Sequence, residues 1–297
     1  MTDALPTPPA GSETTAPYGG APTPAPAPAV PARYRTVHLQ RAKDEGRRFA
    51  MLTTYDAMTA ALFDETGVEV LLVGDSLGNT VLGLGSTLPV TMDHMVTFSA
   101  AVVRGASRAL VVADLPFGSY EASPAQAVAA AVRLVKEAGV HAVKVEGDER
   151  FAGHVAAMTA AGVAVMAHIG FTPQSEHVLG GYRVQGRGEG AAERMIASAR
   201  ALEEAGAFAV LMEMVPSDVA AAVDAALRVP TVGIGAGAST TGQVLVWQDM
   251  LGLGGGRTPR FVRQYAQLRE SVGDAVRAYR SDVLDGSFPA PEHGFEA

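Results

Sequence analysis

Two periods alternate along the chain. Apolar runs of strand length are set between longer stretches with helical spacing and turn residues. The runs are RFAMLTTY, EVLLVGDS, ALVVADLP, HAVKVEG, VAVMAHIG, FAVLMEMV, PTVGIGAG and GQVLVWQD. Each has the length and continuity of a strand buried on both faces. A local unit recurs in ETGVEVLLVGDS, EAGVHAVKVEGD, AAGVAVMAHIG and EAGAFAVLMEMV: a helix end, small residues, a glycine, then an apolar strand closing on a polar residue. Gly67, Gly139, Gly162 and Gly206 there suit the left-handed position just past a helix C-terminus. The helix ahead of the second unit starts at SPAQ, where Ser123 can cap, Pro124 fits the first turn and Gln126 completes a capping box. Strands joined by helices in this order predict an α/β fold, a (β/α)8 TIM barrel. An open doubly wound sheet would carry a nucleotide-binding glycine loop at an early β–α turn, and none stands there. GIGAGAS at 233–239 comes at the seventh strand without that spacing, and reads as a loop that lets a ligand approach the backbone.

The start of the chain breaks the pattern. Residues 1–33, rich in Pro, Ala, Gly and Thr, lack apolar periodicity and the charged-then-apolar signature of a signal peptide. They read as a disordered tail, with residues 34–297 as the catalytic barrel. The PAPAPA run could dock in a partner groove as a polyproline helix, but a flexible tail is the simpler reading. No apolar run approaches the roughly 20 residues that span a bilayer, so no membrane partner is expected.

Composition narrows the chemistry. The 297 residues include no cysteine and 48% hydrophobic side chains, enough for one large domain with a sizeable core. Without cysteine there is no disulfide, thiolate nucleophile or thiolate zinc site, and any metal must be held by Asp, Glu, His or backbone oxygen. A formal net charge of −8 argues against a nucleic-acid binder and leaves anionic small substrates open.

One stretch conflicts with a purely structural strand. In EAGVHAVKVEGD, Val143 and Val145 share one face, while Lys144 and Glu146 share the other. A barrel turns this oddity into a pattern: Asp75, Asp114, Lys144, Glu146, His168 and Glu213 all fall at or near C-terminal strand ends, where barrel enzymes place their sites. Each also has a bland reading. Asp75 and Asp114 can cap turns, His168 can be a hydrogen-bonded core histidine, and Lys144 can pair with Glu146. Taken as a set they predict a site. Carboxylates without sulfur favour Mg²⁺ over zinc. Mg²⁺ beside a lysine suits a small 2-oxo acid whose carboxylate and ketone oxygens chelate it, the metal acting as Lewis acid. A further carboxylate is then free to act as base, which points to enolate chemistry.

The segments MLTTYDAMTA, LLVGDSLGNTVLG, STLPVT, ADLPFGSY, VKVEG, HIGFTPQS, GGYRVQGRG and VGIGAG, in that order, resemble the ketopantoate hydroxymethyltransferase (3-methyl-2-oxobutanoate hydroxymethyltransferase) family across about residues 36–295. The resemblance implies that 5,10-methylenetetrahydrofolate donates a one-carbon unit to 3-methyl-2-oxobutanoate, giving 2-dehydropantoate and tetrahydrofolate on the route to pantothenate. It implies Asp75, Asp114 and Glu146 as Mg²⁺ ligands, and Asp75, Ser76, Asp114, Lys144 and His168 as groups that hold the oxo acid. Glu213 matches the proton acceptor. It further implies a cytoplasmic homo-oligomer, a decamer of stacked pentamers. Gly85 in GLGST departs from the acidic residue many relatives carry, which puts a local polar role there in doubt. Arg183 and Arg187 of GGYRVQGRG could close over the folate or contact a neighbouring subunit. Two other classes stay open: a related Mg²⁺-dependent lyase that breaks a C–C bond of a 2-oxo acid, and a non-catalytic barrel.

Overall fold

The computed structural model describes residues 31–256 and 258–295. Its eight strands are β1 (Phe49–Thr53), β2 (Val70–Val73), β3 (Leu110–Asp114), β4 (Ala142–Glu146), β5 (Val165–Gly170), β6 (Ala209–Glu213), β7 (Thr231–Ile234) and β8 (Gly242–Leu245). Each pairs in parallel with its sequence neighbours, and β8 pairs with β1, which closes the sheet into a barrel in sequence order. This is the expected (β/α)8 architecture. Among the described residues no helix is long and apolar enough to cross a membrane. The expectations for the proline- and alanine-rich start lie mostly outside the described residues.

Strand alternation sorts the side chains into two cores. Outward positions such as Val143, Val145, Ile169, Val210 and Met212 pack under the surrounding helices in one large cluster. Inward positions Phe49, Met51, Val70, Leu110, Val112, Ala142, Met166, Ala209 and Val232 fill the barrel, and Leu39 and Ala42 of the helix Thr36–Asp44 join them. The inward series changes character along each strand. Leu110 and Val112 lead to Asp114, Ala142 leads to Lys144 and Glu146, Met166 leads to His168, and Ala209 and Leu211 lead to Glu213. The N-terminal half of the barrel is therefore an apolar plug, and the ionisable groups gather at the other end.

The glycine signals hold: Gly67, Gly139, Gly162 and Gly206 have φ of 94°, 78°, 87° and 101°. Two local expectations need correction. Ser123 does cap the helix Pro124–Arg133, accepting from Gln126 N at 3.2 Å, but the Gln126 side chain accepts from Ala122 N at 3.0 Å rather than from the cap residue, so the box closes one residue early. The eighth apolar run also stops short, because after Leu245 the segment Trp247–Met250 turns into a short helix. That turn lifts Asp249 off the strand and onto the rim of the cavity.

The long helix Leu268–Asp285, the last α-helix in the described chain, contains no buried residue. Val272, Val276, Tyr279 and Val283 recur at helical spacing and are all exposed.

Candidate active site

A cavity of about 380 Å³ opens at the C-terminal end of the barrel, and Asp75, Ser76, Asp114, Lys144, Glu146, His168 and Glu213 all line it. The sequence-predicted set thus converges on one site. Apolar side chains line it as well, Leu72, Leu211, Ile234, Val244 and Val246, with Tyr182 and Phe261 contributing aromatic rings.

Lys144 is almost wholly buried, with Nζ 3.0 Å from Asp114 Oδ1 and 3.8 Å from Glu146 Oε1. The ion pair suspected between Lys144 and Glu146 is therefore the weaker contact, and Asp114 is the nearer counter-ion. Burial alone would lower the Lys144 pKa, but Asp114, Glu146 and Asp75 outweigh it and hold the ammonium charged. The same Nζ lies 3.0 Å from His168 Nδ1. An ammonium has donors only, so at this closer contact Nδ1 accepts and the His168 proton sits on Nε2, against the pull of Glu146 Oε1, which stands 3.4 Å from the same Nδ1. Burial, with Lys144 adding to it, depresses the imidazole pKa and keeps the ring neutral.

That Nε2–H faces Glu213, whose Oε2 is 3.5 Å away, and Nε2 makes no hydrogen bond in the free site. Burial pushes the Glu213 carboxyl up to about 8, and Glu146 adds to the effect. Backbone geometry fixes this residue. Gly170 pairs with Glu213 across β5 and β6, and a Cβ on Gly170 would lie 2.4 Å from the Glu213 carbonyl oxygen. Only glycine fits there. Met214, the next residue, holds the left-handed φ of 49°, unusual for a side-chain-bearing residue and restrained by Met214 N donating to Ile234 O at 2.9 Å. The chain thus turns sharply just after Glu213 and leaves its carboxylate at the cavity.

Sequence reasoning missed the groups that hold the carboxylates in place. Gln174 is buried and donates from Nε2 to Asp75 Oδ2 at 2.8 Å and to Leu115 O at 2.9 Å, while its backbone N donates to Glu146 Oε2 at 2.9 Å. Its Oε1 accepts from Tyr120 OH at 2.6 Å. With both amide hydrogens and the carbonyl engaged, the amide has one workable orientation. Tyr55 OH lies 2.8 Å from Ser76 Oγ, tying the serine to the loop that follows β1. These residues stand in quoted motif segments, but single polar residues in loops carry no period that would single them out.

The glycine-rich turn at 233–239 has a different use from the one expected. A Cβ on Gly235 would lie 2.9 Å from the Phe261 ring, and one on Gly237 2.6 Å from Ser217. Protein side chains, rather than a ligand, occupy the space those glycines leave. In the GGYRVQGRG loop, Tyr182 packs on Phe171 and reaches the cavity, while Arg187 lines a neighbouring cleft of about 550 Å³ and Arg183 lines neither.

The charges suit a hard cation. Asp75, Asp114, Glu146 and Glu213 face a single ammonium, and burial together with the charges of Asp114 and Glu146 pushes the Asp75 pKa well above the usual carboxylate range. Asp114 Oδ1 is buried and accepts no aligned hydrogen bond. Among the described residues no three His, Asp or Glu side chains converge to cage an ion by themselves. A divalent cation here would take part of its shell from water and substrate, the manner of Mg²⁺ rather than of structural zinc.

Fold and site together define a (β/α)8 barrel with a carboxylate, lysine and histidine cluster at its C-terminal mouth. Solved structures share this fold: phosphonopyruvate hydrolase in complex with oxalate and Mg²⁺ aligns with TM-score 0.57 at 17% identity, covering 89% of this chain and 92% of that one. A 2,3-dimethylmalate lyase of the PEP mutase/isocitrate lyase superfamily aligns at 0.55 and 16%, covering 87% and 92%. The family model for ketopantoate hydroxymethyltransferase matches residues 33–291. A 3-methyl-2-oxobutanoate hydroxymethyltransferase of Arthrobacter sp. (strain FB24) is 62% identical over 292 residues, 96% of each chain, and that of Mycobacterium marinum (strain ATCC BAA-535 / M) is 55% identical over 285 residues, 96% of this chain and 95% of its own. The chain belongs to the ketopantoate hydroxymethyltransferase family.

Proposed function

We propose that this protein transfers a one-carbon unit from 5,10-methylenetetrahydrofolate to C3 of 3-methyl-2-oxobutanoate, with water, to give 2-dehydropantoate and tetrahydrofolate. The observation that carries the reading is the placement of His168 between Lys144 and Glu213, at 3.0 Å and 3.5 Å. A cation and a protonatable carboxylate then face one small cavity from two sides.

Mg²⁺ would be held by Asp75 and Asp114, with Glu146 joining its shell, and when bound it supplies a Lewis acid for the ketone oxygen. Lys144 sits where it can balance negative charge on the oxo acid and on the oxygen as the enolate forms. His168, donating from Nε2, and Ser76, held by Tyr55, orient the substrate. The apolar wall of Leu72, Leu211 and Ile234 accepts the branched alkyl end. Glu213 takes the C3 proton in its ionised form, which a cation held by the neighbouring carboxylates would favour over the protonated form of the free site. Water adds to the methylene carbon of the opened carrier, the C–N bond breaks as nitrogen takes a proton, and formaldehyde and tetrahydrofolate result. The enolate carbon then attacks the formaldehyde carbon, and the former carbonyl oxygen takes a proton to become the new hydroxyl. Electrostatic stabilisation supplies the larger part of the acceleration, and a positioned base adds about a hundredfold to ten-thousandfold.

The active form is, in this reading, a cytoplasmic homo-oligomer, a decamer, and the uncovered apolar stripe on Leu268–Asp285 supports a second copy packing there. The test of the function is tetrahydrofolate-linked hydroxymethylation of 3-methyl-2-oxobutanoate, with and without chelator. Turnover that needs the folate and stops on chelation supports the reading. Cleavage of a 2-oxo acid without folate would favour the lyase alternative.

A further inference from the structure

We propose that Asp249 recognises the one-carbon carrier, its carboxylate accepting two hydrogen bonds from the 2-aminopyrimidinone edge of the carrier's ring. The inference rests on the one-carbon transfer reading and adds the place where the second substrate is read. Because the strands close in sequence order, the Trp247–Met250 turn that follows β8 stands across the barrel from β4, which carries Lys144 and Glu146. Asp249 lines the same cavity from that opposite side. The cationic and imidazole groups of the site belong to the far wall.

Asp249 is half-buried, and among the described residues no side-chain or backbone donor bonds its carboxylate and no cation pairs with it. The first N–H of its short helix, on Trp247, donates to Thr53 Oγ1 at 3.1 Å rather than to Asp249, so the carboxylate does not serve as a cap. Burial raises its pKa, as expected of a carboxylate lacking a counter-charge. Thr87, on the same cavity, has a buried hydroxyl oxygen without a partner. A half-buried carboxylate with no protein partner suits a ligand with two parallel N–H donors, which the 2-amino group and N3–H of a reduced pterin present. The rings of Tyr182 and Phe261 and the side chains of Val244 and Val246 line the same opening, giving a flat heterocycle apolar surface to lie against. The oxo acid on one wall and the carrier ring on the other would leave the reacting carbons between them.

The test is calorimetric binding of tetrahydrofolate to the full-length protein with Mg²⁺ and 3-methyl-2-oxobutanoate present. Asp249→Asn is expected to weaken it about tenfold to a hundredfold, since one acceptor becomes a donor facing N3–H and the charge is lost. A tetrahydrofolate analogue with the 2-amino group replaced by methyl should bind the wild type weakly and lose little further in Asp249→Asn. Unchanged affinity in a folded Asp249→Asn protein overturns the assignment alone. If that variant does not fold, the analogue on wild type decides, and equal affinity for analogue and parent overturns it. Wild type that binds no tetrahydrofolate at all overturns the transfer reading along with it.

Discussion

Nε2 of His168 and Oε2 of Glu213 lie 3.5 Å apart without forming a hydrogen bond, and the imidazole proton is on that nitrogen because Nδ1 on the other side meets an ammonium. The ring is therefore a fixed donor at the cavity. Replacing it by leucine, which conserves most of the volume, should lower kcat about a hundredfold to a thousandfold, the usual cost of removing one preorganised donor. A histidine that only fills the core would show a lower melting temperature with kcat retained.

Asp75→Asn and Asp114→Asn each remove an anion from a cluster whose members push one another's pKa upward. If these carboxylates hold Mg²⁺, each change should weaken cation binding, measured with Mn²⁺ by electron paramagnetic resonance, and reduce turnover by about a hundredfold or more. Full turnover at ordinary Mg²⁺ in either variant removes that residue from the metal site.

Much of this arrangement was legible in the sequence, and the reason is parity. Inward-facing positions two apart on one strand, Ala142, Lys144 and Glu146, pass from oil to charge, and the same change recurs from Met166 to His168 and from Leu211 to Glu213. The glycine-punctuated repeat supplied the strand count. Gln174 and Tyr120 were not legible, because their importance lies in hydrogen bonds between loops far apart in sequence. Asp249 was hidden differently: WQD continues an apolar run, and only the early end of β8 brings its side chain to the rim. The preference of Lys144 for Asp114 over Glu146 depends on the β3–β4 register, which no strand shows by itself.

The pH dependence of stability follows from Glu213. Its carboxyl titrates near 8 in the fold against an ordinary 4.5, chiefly through burial. The folded chain thus keeps a proton that the unfolded chain has lost, so the group's stabilising contribution is complete below 4.5 and disappears as pH rises through about 8. With 16% of the side chain still exposed at the cavity, the effect is smaller than full burial would give. Metal-free Glu213→Gln should melt above the wild type at about pH 9, with the gap narrowing toward about pH 5. A gap independent of pH contradicts the shift.

The exposed stripe on the last α-helix gives an assembly prediction. Val276→Glu places a charge in the middle of Val272, Tyr279 and Val283, and should shift sedimentation toward smaller species while leaving the barrel folded by circular dichroism. Sedimentation identical to the wild type would remove this helix from the interface.

The central claim is that Glu213 takes the C3 proton, and deuterium exchange tests it most directly. With Mg²⁺ and 3-methyl-2-oxobutanoate in deuterium oxide, and no folate, the wild type should exchange the C3 proton as followed by NMR, because enolisation needs no carrier. Glu213→Gln keeps the shape of the side chain but cannot accept the proton. It should bind the oxo acid, remain folded by its melting curve, and exchange about a hundredfold to ten-thousandfold more slowly. Exchange at the wild-type rate in folded Glu213→Gln would contradict the assignment of the base.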